Sequence, residues 1–462
     1  MIFLAFGSLL LASAPAEITA TIAQQQLPPS AVSFLVVEQE TGRPVISQNP
    51  LIVRSPASTL KAVTTFASLD VLGPAYTWHT RALASGPIVD GVLEGDLVLQ
   101  GGGDPYLTLE RWWSFAHQLR GTGLRAIHGD VVVDDSAFAP PAEDPGAFDG
   151  RPNRAYNAAP SALMVNFQSI QFHVAPNAEQ RRVDIVADPN LSNLVVDNRV
   201  RYTAGRCSGA ASRVDFEVSA PRADRVTFTG RLAAHCAPRE LTRVLLTPAE
   251  YAYGTFVTLW RELGGSVDGK LHVASAPADA RLLLNFDSLS LGEIVRLTNK
   301  YSSNVMARHL LLTLGQERFG APATVAKGIA AIDAWALQRS IDLGDVEIDN
   351  GSGLSRSAHI SVAAMAAVLR AAYRSPVAPE FVASLPLAGR DGTLRTRMND
   401  SPLGSVRLKT GHIDGVSGVA GYVTGGSGKV YVLVCLINDA RVDSGAGEAL
   451  HAALVKWILE NL

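Results

Sequence analysis

The chain has 462 residues, 47% of them apolar and 18% charged, with a formal net charge of −3. At roughly 100 to 200 residues per domain, that length implies two to four domains and excludes one compact core. The composition is that of a globular protein, and with no basic block and no aromatics interleaved with Arg or Lys it argues against nucleic-acid binding.

Residues 1–16 are apolar and end in the small residues Ala12-Ser13-Ala14-Pro15-Ala16. They read as an export signal with an Ala-x-Ala type cleavage site, too short to span a membrane, which places the protein in the periplasm or cell envelope. The first basic residue is Arg43, so the usual positive start is missing and the true N-terminus stays open. A disordered or buried apolar N-terminus is the alternative reading.

Val32-Ser33-Phe34-Leu35-Val36-Val37 and Val45-Ile46-Ser47 are strand-like, and Thr41-Gly42-Arg43-Pro44 between them predicts a hairpin. From Ser58 the pattern turns helical, with Leu60, Val63, Ala67 and Val71 on one face, so Ser58 and Lys61 share the first turn. Residues 81–170 read as a βαβ unit around a helix carrying Trp112, Trp113, Phe115 and Leu119. Residues 171–274 are dominated by short alternating segments such as Val226-Thr227-Phe228-Thr229, which predict a β-rich subdomain.

Within that stretch lie Cys207 and Cys236, which in an exported protein would close a loop worth roughly 3 to 4 kcal/mol. Two unpaired thiols are the alternative. Cys435 sits in the apolar run 430–437 and reads as a buried strand residue. Ser290 and Glu293 make a capping box for a new helix, and Ser302-Ser303-Asn304 falls at a helix-helix junction. Strands follow at 406–410, 419–423 and 430–437, then a closing helix with Leu450, Ala453, Leu454, Trp457 and Ile458 at helical spacing. Both chain ends therefore read as one α/β unit, residues 25–80 with 275–462, and the middle as an insertion.

Three short elements carry chemistry. A serine hydroxyl is a poor nucleophile without a base, and Lys61, one turn from Ser58, serves if its pKa is depressed by burial and by a second cation, for which Lys409 is the candidate. Backbone amides at the start of this helix point where an oxyanion would form. Ser302 and Asn304 offer a hydroxyl to relay a proton and a carboxamide to hold a substrate amide. Lys409 and Thr410 offer a cation and a hydroxyl for a carboxylate, and Gly411 lets a backbone approach closely. Alone, each element reads more simply as a solvated lysine, a capping turn or a strand end; the set in this order reverses that.

Two other Gly-rich stretches are set aside. In 421–429, Val423 occupies the first Gly position of a P-loop and Val430 the Ser/Thr position, so a hairpin turn is expected; Gly101-Gly102-Gly103-Asp104-Pro105 lacks the dinucleotide-binding register. The ten His and scattered carboxylates show no metal-ligand spacing, so neither a catalytic metal nor another cofactor is expected.

With these elements the chain resembles the class C low-molecular-mass penicillin-binding proteins, the D-alanyl-D-alanine carboxypeptidase and endopeptidase family of serine peptidases (S13). Asp134-Asp135-Ser136-Ala137-Phe138, Asn350-Gly351-Ser352-Gly353-Leu354-Ser355-Arg356, 387–394 and Gly415-Val416-Ser417-Gly418 extend the resemblance over nearly the whole chain. It implies an α/β (α+β) fold, a β-lactamase/transpeptidase-like domain whose antiparallel sheet is flanked by helices and which carries two inserted domains. It also implies Ser58 as the acylated nucleophile, Lys61 as its base and Ser302 as proton relay, with Asn304, Lys409, Thr410 and Gly411 binding substrate. The backbone N–H groups of Ser58 and His412 would form the oxyanion hole.

The implied substrates are peptidoglycan stem peptides, and β-lactams the covalent inhibitors. Carboxypeptidase and endopeptidase activity both stay open, as does the oligomeric state. His412 departs from the Thr or Ser usual in such proteins, and Ala307-Arg308 from a frequent acidic residue. The rival readings are a β-lactamase or esterase on the same scaffold, with 347–350 as a source of a water-activating carboxylate, and a non-catalytic cell-wall-binding protein.

Overall fold

The structure is a computed structural model and describes residues 13–139, 144–219 and 224–462. Most of the 1–16 segment, residues 1–12, lies outside the described residues. The chain divides into two compact units: one joins the chain up to Tyr76 to Leu289–Leu462, the other is Thr77–Ser288.

The first unit is built on a five-stranded antiparallel sheet in the order Pro44–Gln48, Val32–Glu38, Val430–Asn438, Val416–Thr424, Val406–Ile413. The central strands are near-continuous apolar runs because both of their faces are covered. Side chains alternate between faces along a strand. Val32, Phe34 and Val36 join Leu433, Cys435 and Ile437 in a core with Ile18 and Ile22 of the Ala16–Gln24 helix and Leu450, Leu454 and Ile458 of the Ala446–Asn461 helix. On the opposite face, Tyr422 donates its hydroxyl to Leu369 O of the Val362–Arg374 helix at 2.7 Å. The hairpin expected at 32–47, the turn at 425–429 and the buried Cys435 all take their sequence-predicted forms.

Three further helices pack on one another, and the 3-10 turn that leads into the first of them meets the sheet's outer strand. Lys61–Leu72 follows the short 3-10 turn Ala57–Leu60, and Leu291–Tyr301 begins with the Ser290/Glu293 capping box. Asn304–Phe319 begins immediately afterwards, with Ser303 as its N-cap.

In the second unit, Asp96–Gln100 and Val131–Asp134 pair in parallel, with the Leu109–Gly121 helix between them in sequence. His79–Ser85 pairs with Arg281–Asp287, which carries this unit out to Ser288. Strands 169–244 form separate ladders, whereas 266–267 and 271–273 pair with strands of the 81–170 segment. One buried cluster, including Trp112, Phe115, Phe172, Phe228, Phe256 and Trp260, draws on both segments. Cys207 and Cys236 are joined by a disulfide.

Candidate active site

All three sequence elements converge in the first unit. Ala57 adopts φ +45, rare for a residue with a side chain, and the chain then winds through the 3-10 turn into the helix. This sets Lys61 one turn beyond Ser58, with its side chain fully buried and Ser58 partly open. Lys61 Nζ lies 2.8 Å from Ser58 Oγ, 2.7 Å from Asn304 Oδ1 and 2.6 Å from Ser352 O.

The chemistry of two of the three partners fixes the direction of their bonds. The Asn304 and Ser352 oxygens can only accept. A neutral amine has two N–H donors and one lone pair, so donating to these two oxygens leaves the lone pair for the Ser58 hydroxyl proton. Burial, and after it the Lys409 charge, hold the Lys61 pKa well below the ordinary lysine value. The neutral amine is thus favoured electrostatically, and it lies in contact with the Ser58 hydroxyl.

Ser302 is the left-handed residue, φ 57, that ends one helix, and Ser303 starts the next by accepting from Met306 N. This αL break, which costs on the order of 1 kcal/mol for a non-glycine residue, lets Ser302 and Asn304 both serve the site. Lys409 Nζ lies 2.8 Å from Ser302 Oγ and 2.7 Å from Thr410 O. Lys409 is fully buried, and burial pushes its pKa down to about 7. Each catalytic-type hydroxyl therefore sits against its own buried lysine.

Gly411 explains how the sheet edge reaches the nucleophile. A Cβ at this position would stand 2.6 Å from Pro56 O and 3.0 Å from Ser58 N. Leu408 N points away from the sheet, to Pro386 O at 3.0 Å, and the alternation of a strand turns the N–H of His412 to that same edge. His412 itself is exposed, with Nε2 4.0 Å from Asp443 Oδ1.

Two participants carried no role in the sequence reading. The Ser352 carbonyl is presented by a turn in which Asn350 Oδ1 accepts from Ser352 N and Oγ, and Gly353, at φ +76, packs so closely that a Cβ would meet Ala57 O at 1.8 Å. Thr393 Oγ1 accepts from Thr410 Oγ1 at 2.6 Å. The only sequence signal for either was its place in a segment matching the family pattern. Of the two carboxylates in 347–350 that the sequence offered for activating water, Glu347 is exposed and pairs with His359, and Asp349 accepts from Asn350 Nδ2 at 3.5 Å.

A serine and a buried lysine in contact, a second lysine-serine pair and a glycine-lined strand edge define a serine acyl-transfer enzyme of the transpeptidase-like class. The chain belongs to the D-Ala-D-Ala carboxypeptidase 3 (S13) family, whose model matches residues 14–461. It is 30% identical to a D-alanyl-D-alanine carboxypeptidase of Actinomadura sp. (strain R39), over 90% of this chain and 79% of the relative. To the D-alanyl-D-alanine carboxypeptidase DacB of Haemophilus influenzae it is 26% identical, over 98% and 96%. The crystal structure of penicillin binding protein 4 from H. influenzae superposes with a TM-score of 0.79 at 25% identity, covering 95% of this chain and 99% of that one.

Proposed function

We propose that this protein is a serine D,D-peptidase that cleaves the D-alanyl-D-alanine end of peptidoglycan stem peptides through an acyl-enzyme at Ser58. Neutral Lys61 takes the Ser58 proton as Oγ attacks the carbonyl carbon of the penultimate D-alanine. The backbone N–H groups of Ser58 and His412 hold the resulting oxyanion. Ser302, oriented by Lys409, passes a proton to the departing nitrogen as the C–N bond breaks, and water then releases the acyl group. Asn304 holds the substrate amide, while Lys409 and Thr410 receive the terminal carboxylate and Gly411 leaves room for the chain.

The observation that carries this reading is the contact of buried Lys61 Nζ with Ser58 Oγ at 2.8 Å, beside two oxygens that only accept; in its neutral form the amine donates to those two and turns its lone pair to Ser58. The relatives' names supply the substrate class: two are D-alanyl-D-alanine carboxypeptidases, and the H. influenzae protein has also been solved with a β-lactam bound. The β-lactamase reading needs a carboxylate at the nucleophile, and the hydrogen bonds of Lys61 among the described residues go to a hydroxyl, an amide and a carbonyl instead.

Export to the periplasm or cell envelope belongs to the same proposal, because the substrate lies there. Among the described residues no helix is long and apolar enough to cross a membrane. Segments 81–170 and 171–274 are proposed as two modules nested between Ser58 and Ser302; their separate ladders support this, with strands 266–287 completing the first. The test is direct: labelled penicillin marks the wild-type protein, a synthetic acyl-D-alanyl-D-alanine peptide releases D-alanine, and Ser58→Ala abolishes both. Equal labelling of Ser58→Ala would sink the assignment.

A further inference from the structure

The contact between Thr410 and Thr393 has no task in the reaction as written. Thr410 Oγ1 donates to Thr393 Oγ1 at 2.6 Å. Thr393 therefore accepts in this bond, and its own O–H meets no acceptor among the described residues. Thr410 is 8% exposed and Thr393 is partly open, while the next residue, Leu394, is fully buried. Packing is served by Leu394. Thr393 itself is left partly uncovered in the same turn.

The turn itself is held from two directions. Within it, Leu387 N donates to Asp391 Oδ1 at 2.8 Å and Gly389 N to Leu394 O at 3.0 Å. Lys300 Nζ clamps it, 2.6 Å from Leu385 O and 2.7 Å from Asp391 Oδ2, and a Cβ on Gly392 would come within 2.6 Å of Lys300 O. Lys300 stands two residues before Ser302 on the same helix end. From the other side, Leu408 N donates to Pro386 O and Ala388 N to Val406 O, fastening the segment to the strand that carries Thr410. Thr393 is thus fixed relative to both the Ser302 helix and the Lys409-Thr410-Gly411 strand.

We propose that Thr393 is a substrate-binding residue: its hydroxyl donates, beside that of Thr410, to the terminal carboxylate of the stem peptide. This rests on the reading of Thr410 as a carboxylate ligand. A carboxylate has two acceptor oxygens, and two hydroxyls in mutual contact present a paired donor edge matched to it. When the carboxylate arrives, Thr410 turns its proton from Thr393 to one oxygen and Thr393 gives its proton to the other.

The experiment compares D-alanine release from an acyl-D-alanyl-D-alanine peptide with D-alaninamide release from the same peptide amidated at its C-terminus. Loss of a hydrogen bond to a charged group predicts that Thr393→Val lowers the acid-over-amide preference, expressed as a ratio of kcat/KM values, about tenfold or more, chiefly through KM of the acid. Thr393→Ser retains the preference. Thr410→Val is run alongside, and penicillin labelling at full stoichiometry certifies that each variant site is folded. If Val disturbs packing, Thr393→Ala carries the same expectation. An unchanged preference in Thr393→Val with a reduced one in Thr410→Val overturns the role of Thr393 alone. An unchanged preference in both overturns the carboxylate reading of Thr410 and the proposal with it. Equal loss on acid and amide also overturns it, since that would mark a merely structural residue.

Discussion

Lys61 Nζ lies 2.8 Å from Ser58 Oγ while the lysine side chain is wholly buried, so the proposed base and nucleophile are already in contact. In the proposed reaction the first proton transfer needs no rearrangement, and the cost of burying the amine favours its neutral form.

Replacing Lys61 with Met keeps the length of the side chain and removes the base. Acylation of Ser58 by penicillin should slow by about 10²- to 10⁴-fold, the usual worth of a general base. Lys61→Arg should fare no better, because a guanidinium does not give up its proton. Timed mass spectrometry of the penicilloyl adduct measures both; near-normal rates in either variant would remove Lys61 from its role.

The two lysines predict a bell-shaped pH profile for acylation. Lys61 must lose a proton, and its pKa lies well below the ordinary lysine value through burial and the Lys409 charge, which sets the rising limb. Lys409 must keep its proton, and burial brings its pKa down to about 7, which sets the falling limb. Lys409→Arg should push that falling limb to higher pH, because guanidinium stays charged there. The effect on stability has the opposite sense to that of an ordinary ion pair. Folded Lys409 binds fewer protons than the unfolded chain between about 7 and about 10.4, so its burial penalty is complete below about 7 and is relieved as pH rises through that window. Denaturant titrations of wild type and Lys409→Met at pH 6 and pH 9 would show it: the advantage of Met should shrink at the higher pH.

The oxyanion role assigned to His412 is one of backbone. His412→Ala keeps the N–H and should hold acylation within about tenfold of wild type. His412→Pro deletes the N–H at an outward-facing position of an edge strand, where proline is tolerated, and should cost about 10²- to 10³-fold. The pair of penicillin acylation rates decides the matter; equal rates would mean that this amide is not in the oxyanion hole.

The disulfide lies 29 residues apart in sequence and within the second unit, away from the catalytic groups in the chain. Cys207→Ser with Cys236→Ser should destabilise Thr77–Ser288 by roughly 3 to 4 kcal/mol while penicillin still labels Ser58 at low temperature. Denaturant unfolding of the double variant, followed with the adduct assay, checks both halves.

Much of this architecture was legible locally. The hairpin at 32–48, the capping box at Ser290, the junction at Ser302 and the strands from 406 onward each follow from short-range signals: alternation, cap residues and turn glycines. What local signals could not convey was the extent of the second unit, because the pairing of His79–Ser85 with Arg281–Asp287 joins residues some two hundred positions apart. Partners at that separation leave no trace in either segment's own pattern.

The sequence by itself determined the chemistry available: a serine and lysine one helical turn apart, a hydroxyl and carboxamide at a helix junction, and a lysine, threonine and glycine on a strand, in an order that identifies the family. Only the tertiary structure decided which groups those side chains meet. The carbonyl of Ser352, which helps orient Lys61, belongs to the backbone and has no side-chain signature, and Thr393 meets Thr410 because Lys300 and the outer strand hold its turn in place. Burial acts in the same way: it is a property of everything packed around Lys61 and Lys409, and it is burial that lowers the pKa of both lysines.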